Sequence, residues 1–163
     1  MKLFTKIIAI ICFVSFFAAT QSQAQEKKFV SGNSVTFGFP VGDMESLYDF
    51  GWGIYADFDY NFSKFLIARF DLGWNTFSGT YKDELGLDVD RKQDIWEFTG
   101  GLRAKIAMFY VEGRGGYFTG INEWGVVPAV GIRLGKIDIQ GSLTVAGDYH
   151  WGGARIAYYW GNK

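Results

Sequence analysis

Residue type alternates with a period of two along most of the chain, which commits it to strands with one apolar and one polar face. From Trp52 the even positions read Trp52, Ile54, Ala56, Phe58 and Tyr60, and the odd ones Gly53, Tyr55, Asp57, Asp59 and Asn61. Leu66, Ala68, Phe70, Leu72 and Trp74 then oppose Ile67, Arg69, Asp71, Gly73 and Asn75. Trp96, Phe98, Leu102 and Ala104 oppose Glu97, Thr99, Gly101, Arg103 and Lys105, and a noisier segment sets Phe109, Val111 and Tyr117 against Tyr110, Glu112, Arg114 and Phe118. Three more follow: Val126, Val130, Ile132 and Leu134 against Ala129, Gly131 and Arg133; Ile137, Ile139, Leu143 and Val145 against Asp138, Gln140, Ser142 and Thr144; Ala154, Ile156, Tyr158 and Trp160 against Gly153, Arg155, Ala157 and Tyr159. With a first strand near residues 30–39, carrying Val35, Phe37 and Phe39 on its apolar side, the pattern predicts eight strands. Each is about 9 to 13 residues long, which suits a tilted strand crossing a bilayer.

The connections between these strands alternate in length. Long segments are expected at 40–49 and 78–93 and a medium one at 120–124, with tight turns at 61–64, near 106–107 and at 135–136. The last, 147–150, is also short. An even-stranded barrel with both termini on the periplasmic side puts the short turns there and the longer loops outside.

Charge decides which face turns inward. The polar faces hold six acids (Asp57, Asp59, Asp71, Glu97, Glu112, Asp138) and six bases (Arg69, Arg103, Lys105, Arg114, Arg133, Arg155). A soluble ligand-binding barrel would show such a face to water, where balance is unnecessary and Lys is common. Matched carboxylates and planar guanidinium groups instead suit an enclosed network, so these twelve are expected to line the lumen. Tyr55, Tyr110, Phe118 and Tyr159 share that face, which predicts a filled interior and no steady solute flow. Trp52, Tyr60, Trp74, Trp96 and Trp160 fall near strand ends, where membrane barrels carry aromatic girdles.

An export signal precedes the barrel. Lys2 and Lys6 lead into Ile7 to Ala19, 13 residues that are apolar except for Ser15, and a polar stretch with small residues at Ser22 and Ala24 follows. Residues 1–24 are therefore expected to be removed as a signal peptide, leaving 25–163 as the barrel domain. The run is too short for a helical anchor, and Cys12 sits inside it without the small residue before it that a lipid-attachment site needs. Beyond residue 24 the chain has no cysteine, hence no disulfide or thiol nucleophile. It carries 14 basic residues against 17 acidic ones, so no cationic field exists to hold nucleic acid.

Three stretches carry a further likeness: Phe109-Tyr110-Val111-Glu112-Gly113-Arg114-Gly115-Gly116-Tyr117, Val127-Pro128-Ala129-Val130-Gly131-Ile132-Arg133, and the closing strand from Ala154 to Trp160. With the alternation around them they resemble the small outer-membrane β-barrel proteins of Gram-negative bacteria, in the OmpA- and OmpX-type eight-stranded class. The resemblance implies an all-β, antiparallel up-and-down transmembrane barrel after a cleaved signal peptide. It also implies outer-membrane lipids and lipopolysaccharide as surroundings, insertion by the barrel-assembly machinery, and a monomer with a structural or surface-recognition role. The closing strand looks like the insertion signal that machinery reads, although Gly161, Asn162 and Lys163 run past its last aromatic residue. Such barrels share a fold more than a chemistry, so no cofactor, metal or catalytic residue is implied.

Two candidate sites compete with that expectation. Lipid A-modifying barrel enzymes use His, Ser and acidic residues at the outer rim, where this chain has its one histidine, His150, with Asp148 and Ser78. Ser78 lies on a strand not adjacent to that of His150, and Gly152 occupies the position where the deacylase pattern places serine, so a plain rim histidine is expected. The 78–94 segment holds Asp83, Glu84, Asp88, Asp90 and Asp94, but without the spacing of a calcium loop, and a solvated tip is expected. Gly100-Gly101 and Gly115-Gly116, inside strands, are read as relief for curvature in a small barrel.

Overall fold

A computed structural model describes residues 28–82 and 88–160. Eight strands are present: β1 (Phe29–Val41), β2 (Phe50–Asn61), β3 (Leu66–Lys82), β4 (Asp88–Ile106), β5 (Phe109–Thr119), β6 (Glu123–Leu134), β7 (Ile137–Ala146) and β8 (Tyr149–Trp160). Each pairs antiparallel with its neighbours in sequence, and β1 also pairs with β8, so the sheet closes into a barrel without an edge along its shared height.

The barrel is inside out with respect to a soluble protein. Arg103 is fully buried, whereas Leu102 beside it is 53 % exposed. Val35, Phe70, Phe98, Val111, Val130 and Ile156 are likewise exposed around the wall, one on each of six strands, and form an apolar belt. Aromatic rings cluster at both heights of that belt: Phe39, Phe50, Trp52 and Trp124 toward the end with the longer loops, Tyr60, Phe109, Tyr158 and Trp160 toward the end with the termini. Ring contacts cross the strand pairs, as between Trp52 and Trp74, centroids 5.3 Å apart and edge to face.

Tight turns close the terminal end. Ile106 pairs with Phe109 and Leu134 with Ile137, leaving two-residue turns in which Ala107 and Gly135 take left-handed φ of 55° and 63°. The turn between β2 and β3 is fixed by the Ser63 hydroxyl, which accepts from the backbone N–H groups of Phe65 and Leu66 at 3.1 and 3.0 Å.

At the loop end the chain departs from the alternation-based expectation. Residues 78–93, expected as a loop, are mostly strand, because β3 and β4 run 17 and 19 residues and stay paired from Ser78↔Lys92 to Lys82↔Asp88. Thr80, Asp90, Arg91 and Lys92 are all exposed. Once a ribbon leaves the barrel both faces meet water, alternation vanishes, and the strand loses its signature without losing its hydrogen bonds. The 40–49 segment contains a 3-10 turn, Gly42–Ser46, entered through Gly42 at φ 65°.

Two classes of glycine occupy the wall. A Cβ on Gly101 would stand 2.0 Å from the Gly113 carbonyl oxygen, and one on Gly116 2.1 Å from that of Phe98. Gly113 and Gly141, which face outward, would meet nothing within 4 Å. In each Gly-Gly pair the inward member, Gly101 or Gly116, permits close strand packing, whereas a Cβ on the outward member, Gly100 or Gly115, would make only ordinary contacts at 3.7 Å or more.

Candidate functional site

Every strand of the barrel contributes to the lumen, and register decides which side chains meet. Inward positions place Asp57 and Asp59 on β2, Arg69 and Asp71 on β3, Glu97, Arg103 and Lys105 on β4, Glu112 and Arg114 on β5, Arg133 on β6, Asp138 on β7 and Arg155 on β8. Arg69 sits at the centre of the cluster, with Nη2 2.8 Å from Asp57 Oδ1 and Nε 2.7 Å from Asp71 Oδ1. Its Nη1 also donates to the Tyr159 hydroxyl at 2.7 Å. Arg103 joins Glu112 at 2.6 Å to Asp138 at 2.7 Å, and Arg133 joins Asp138 at 3.0 Å to Asp59 at 2.7 Å. Arg114 spans Glu112, at 2.8 Å, and Asp71, while Arg155 reaches Asp71 at 3.0 Å and Asp57 at 3.3 Å.

Five guanidinium groups thus share five carboxylates, all nearly inaccessible. Their unused faces are covered too: Arg103, Arg133 and Arg155 lie over the rings of Tyr110, Tyr159 and Tyr55 at 3.7, 3.8 and 3.8 Å. Burying so many charges is tolerable only when each is both paired and hydrogen-bonded, and Gln140 and Thr36 supply further bonds, to Glu112 at 2.9 Å and from Arg155 at 3.1 Å.

Two of the twelve expected members stand apart. Glu97 is buried one layer nearer the loops, where it accepts from Asn75, and it makes no ion pair among the described residues. Lys105 is half-buried at the terminal mouth and likewise makes none there. The six-against-six balance counted from sequence is therefore a closed five-against-five cluster with one outlier of each sign at its two ends.

Above the charges the lumen turns apolar. Phe77, Ile95, Phe118, Val127, Ala146 and Trp151 form a buried cluster, completed by Met44 and Tyr48 from the 40–49 segment. The Phe77 and Phe118 rings each meet Trp151, at 5.4 and 5.7 Å between centroids. Burial pushes the Tyr48 hydroxyl above the usual tyrosine range, with Arg91 opposing, so the plug carries no charge near neutral pH. Of this plug the sequence pattern places Phe118 alone on the lumen face. Continuing the inward parity past Asn75 and Glu97 reaches Phe77 and Ile95, which was the available signal; Met44 and Tyr48 obey no period.

The remaining candidates are not assembled into chemistry. His150 Nε2 lies 3.1 Å from the Gly147 carbonyl, and no hydrogen bond joins His150, Asp148 and Ser78 among the described residues. Ser78 pairs with Phe50 and Lys92, on the other side of the barrel wall from β8. Of the acids between 78 and 94, Asp83 and Glu84 lie outside the described residues; Asp90 accepts from the Thr80 hydroxyl at 3.3 Å and Asp94 lies 3.7 Å from Lys92. A recess of about 480 Å³ opens where β2 meets the ribbon, lined by Asp49, Phe50, Ser78, Thr80, Asp90 and Arg91 among others.

No family model matches the sequence, and no curated protein does. Solved structures do match in fold. One is the backbone structure of the Yersinia pestis outer membrane protein Ail in a phospholipid bilayer nanodisc, at 12 % identity over 80 % of this chain and 98 % of that one, TM-score 0.54. Another is the crystal structure of Ail, the attachment invasion locus protein of Yersinia pestis, with the heparin analogue sucrose octasulfate, at 13 % identity over 80 % and 97 % of the two chains, TM-score 0.51. The shared property is the closed eight-stranded antiparallel barrel.

Proposed function

We propose that this chain is a small integral barrel of the Gram-negative outer membrane, exported behind a cleaved signal at residues 1–24 and inserted as a monomer by the barrel-assembly machinery. Its role is structural or one of surface recognition, with the barrel as anchor and the loop end as the contact face. One observation carries this: the wall is apolar outward and charged inward around its whole circumference, an arrangement that lipid covers and water does not. The termini and tight turns then lie in the periplasm, and the ribbon and the 40–49 segment lie outside.

The loop end narrows the choice of partner. Among the described residues, Asp43, Glu45, Asp49, Asp90, Asp94, Glu123 and Asp148 are exposed there against Arg91 and Lys92. A field of that sign repels sulfated polyanions such as the one crystallised with Ail, and favours cationic partners. No catalytic step is part of the proposal, since its one histidine bonds to a backbone carbonyl and not to a nucleophile.

Fractionation of cells expressing the full chain tests the location. The processed protein is expected in the outer-membrane fraction and resistant to carbonate extraction; recovery as a detergent-free monomer in periplasmic extract would reverse the assignment in favour of a soluble barrel.

A further inference from the structure

Among the described residues, the charges at the terminal end that stand outside the arginine–carboxylate cluster are all of one kind. Lys28 precedes β1, Lys64 lies in the β2–β3 connection, Lys105 ends the inward row of β4, and Lys136 lies in the β6–β7 turn. None has a carboxylate within ion-pair distance among the described residues. The acids nearest this end, Asp59, Glu112 and Asp138, are buried and already matched by arginine, and none forms an ion pair with these lysines.

The turns carrying these lysines are not water-loving. Phe62, Phe65, Ile106, Phe109, Leu134 and Ile137 are exposed around the same rim, Ile106 at 76 % and Phe65 at 68 %. Turns projecting into the periplasm would leave those side chains wet. Sinking the rim into the headgroup layer covers them and brings each ammonium to the depth of the lipid phosphates. Lys136 Nζ, 5.9 Å from the Tyr158 ring centroid, is already held at the level of the aromatic girdle.

We propose that this rim is a binding ring for the phosphate groups of anionic phospholipids in the periplasmic leaflet, an inference that rests on the outer-membrane assignment. A zwitterionic headgroup brings its own ammonium beside the lysines and loses the advantage; a phosphatidylglycerol-type headgroup does not. An ammonium near an anionic lipid surface is worth about a fivefold preference per lysine.

The test uses the processed protein refolded into vesicles of phosphatidylcholine alone or mixed with phosphatidylglycerol, followed by native mass spectrometry of the lipid retained after detergent release. Phosphatidylglycerol is expected to be retained several-fold over phosphatidylcholine. The variant with Lys28, Lys64, Lys105 and Lys136 all replaced by Gln is expected to bring the ratio close to parity, and the matching Arg variant to restore it. Added inorganic phosphate is expected to leave the retained lipid in place; displacement by it would mean a free-phosphate site and overturn the lipid assignment. Folded insertion into both vesicle types with equal retention would overturn the ring and leave the barrel assignment standing. Failure to insert into either would overturn the barrel assignment itself.

Discussion

Arg69 shows what a single side chain does in this lumen. Its guanidinium touches Asp57 and Asp71 at hydrogen-bond distance and lies within 4.0 Å of Asp59 and Glu112, so it offsets charge on four carboxylates from three strands at once. Arg69→Ala leaves those carboxylates enclosed with one cation fewer, and unfolding in urea from lipid vesicles should show a loss of about 3 to 5 kcal/mol. Lys105→Ala removes a cation with no such partners and is expected to cost under about 1 kcal/mol in the same assay. Equal losses would mean that the pairs do not hold the barrel and that net lumen charge matters instead. Alternation assigns a side chain to a face, and on that basis the twelve charged residues were read together. It carries no information on which carboxylate meets which guanidinium, because partners such as Arg133 and Asp59 lie 74 positions apart and are brought together by barrel closure.

Strands were the most legible elements where the outward and lumen faces differ in chemistry. β2, β5, β7 and β8 fall where the period of two places them. Legibility ended where that contrast ends: in the ribbon beyond Ser78, whose exposed side chains Thr80 and Arg91 fall on opposite faces, and at the plug, where Phe77 and Ile95 put apolar residues on the inward side. The inserted Met44 and Tyr48 were not visible at all, since an irregular segment shows no period to read. Glycines are visible in the sequence as a surplus, roughly 16 % of residues 25–163 against about 7 % in average proteins, but their two classes are not. Gly101→Ala forces a Cβ against the Gly113 carbonyl and is expected to destabilise by on the order of 3 kcal/mol. Gly113→Ala and Gly141→Ala enter open space in a strand and should stay within about 1 kcal/mol of the parent, or gain. Urea midpoints for the three variants decide it: similar losses at all three would mean that backbone flexibility, not strand approach, explains the glycines.

For the molecule as a whole, plug and charge cluster are two seals in series along one axis. The cluster fills the terminal half with five arginines and the tyrosines beneath them, and the plug fills the loop end with Met44, Tyr48, Phe77, Phe118 and Trp151. Eight strands give an interior just wide enough for side chains, so either seal alone is sufficient to stop a hydrated ion. The two seals also differ in kind. Shortening an apolar side chain opens a void that neighbours partly fill and that stays dry, whereas an ion crossing the cluster must separate charges held at hydrogen-bond distance. Planar bilayers containing the protein are therefore expected to show no steady conductance in salt. Met44→Ala is expected to stay closed while losing about 2 to 5 kcal/mol of stability, because the charge cluster below is untouched. Steady channels from the parent protein would mean that the lumen is open in the membrane; channels from Met44→Ala alone would mean that the plug is the only effective barrier and that the arginine–carboxylate cluster admits ions.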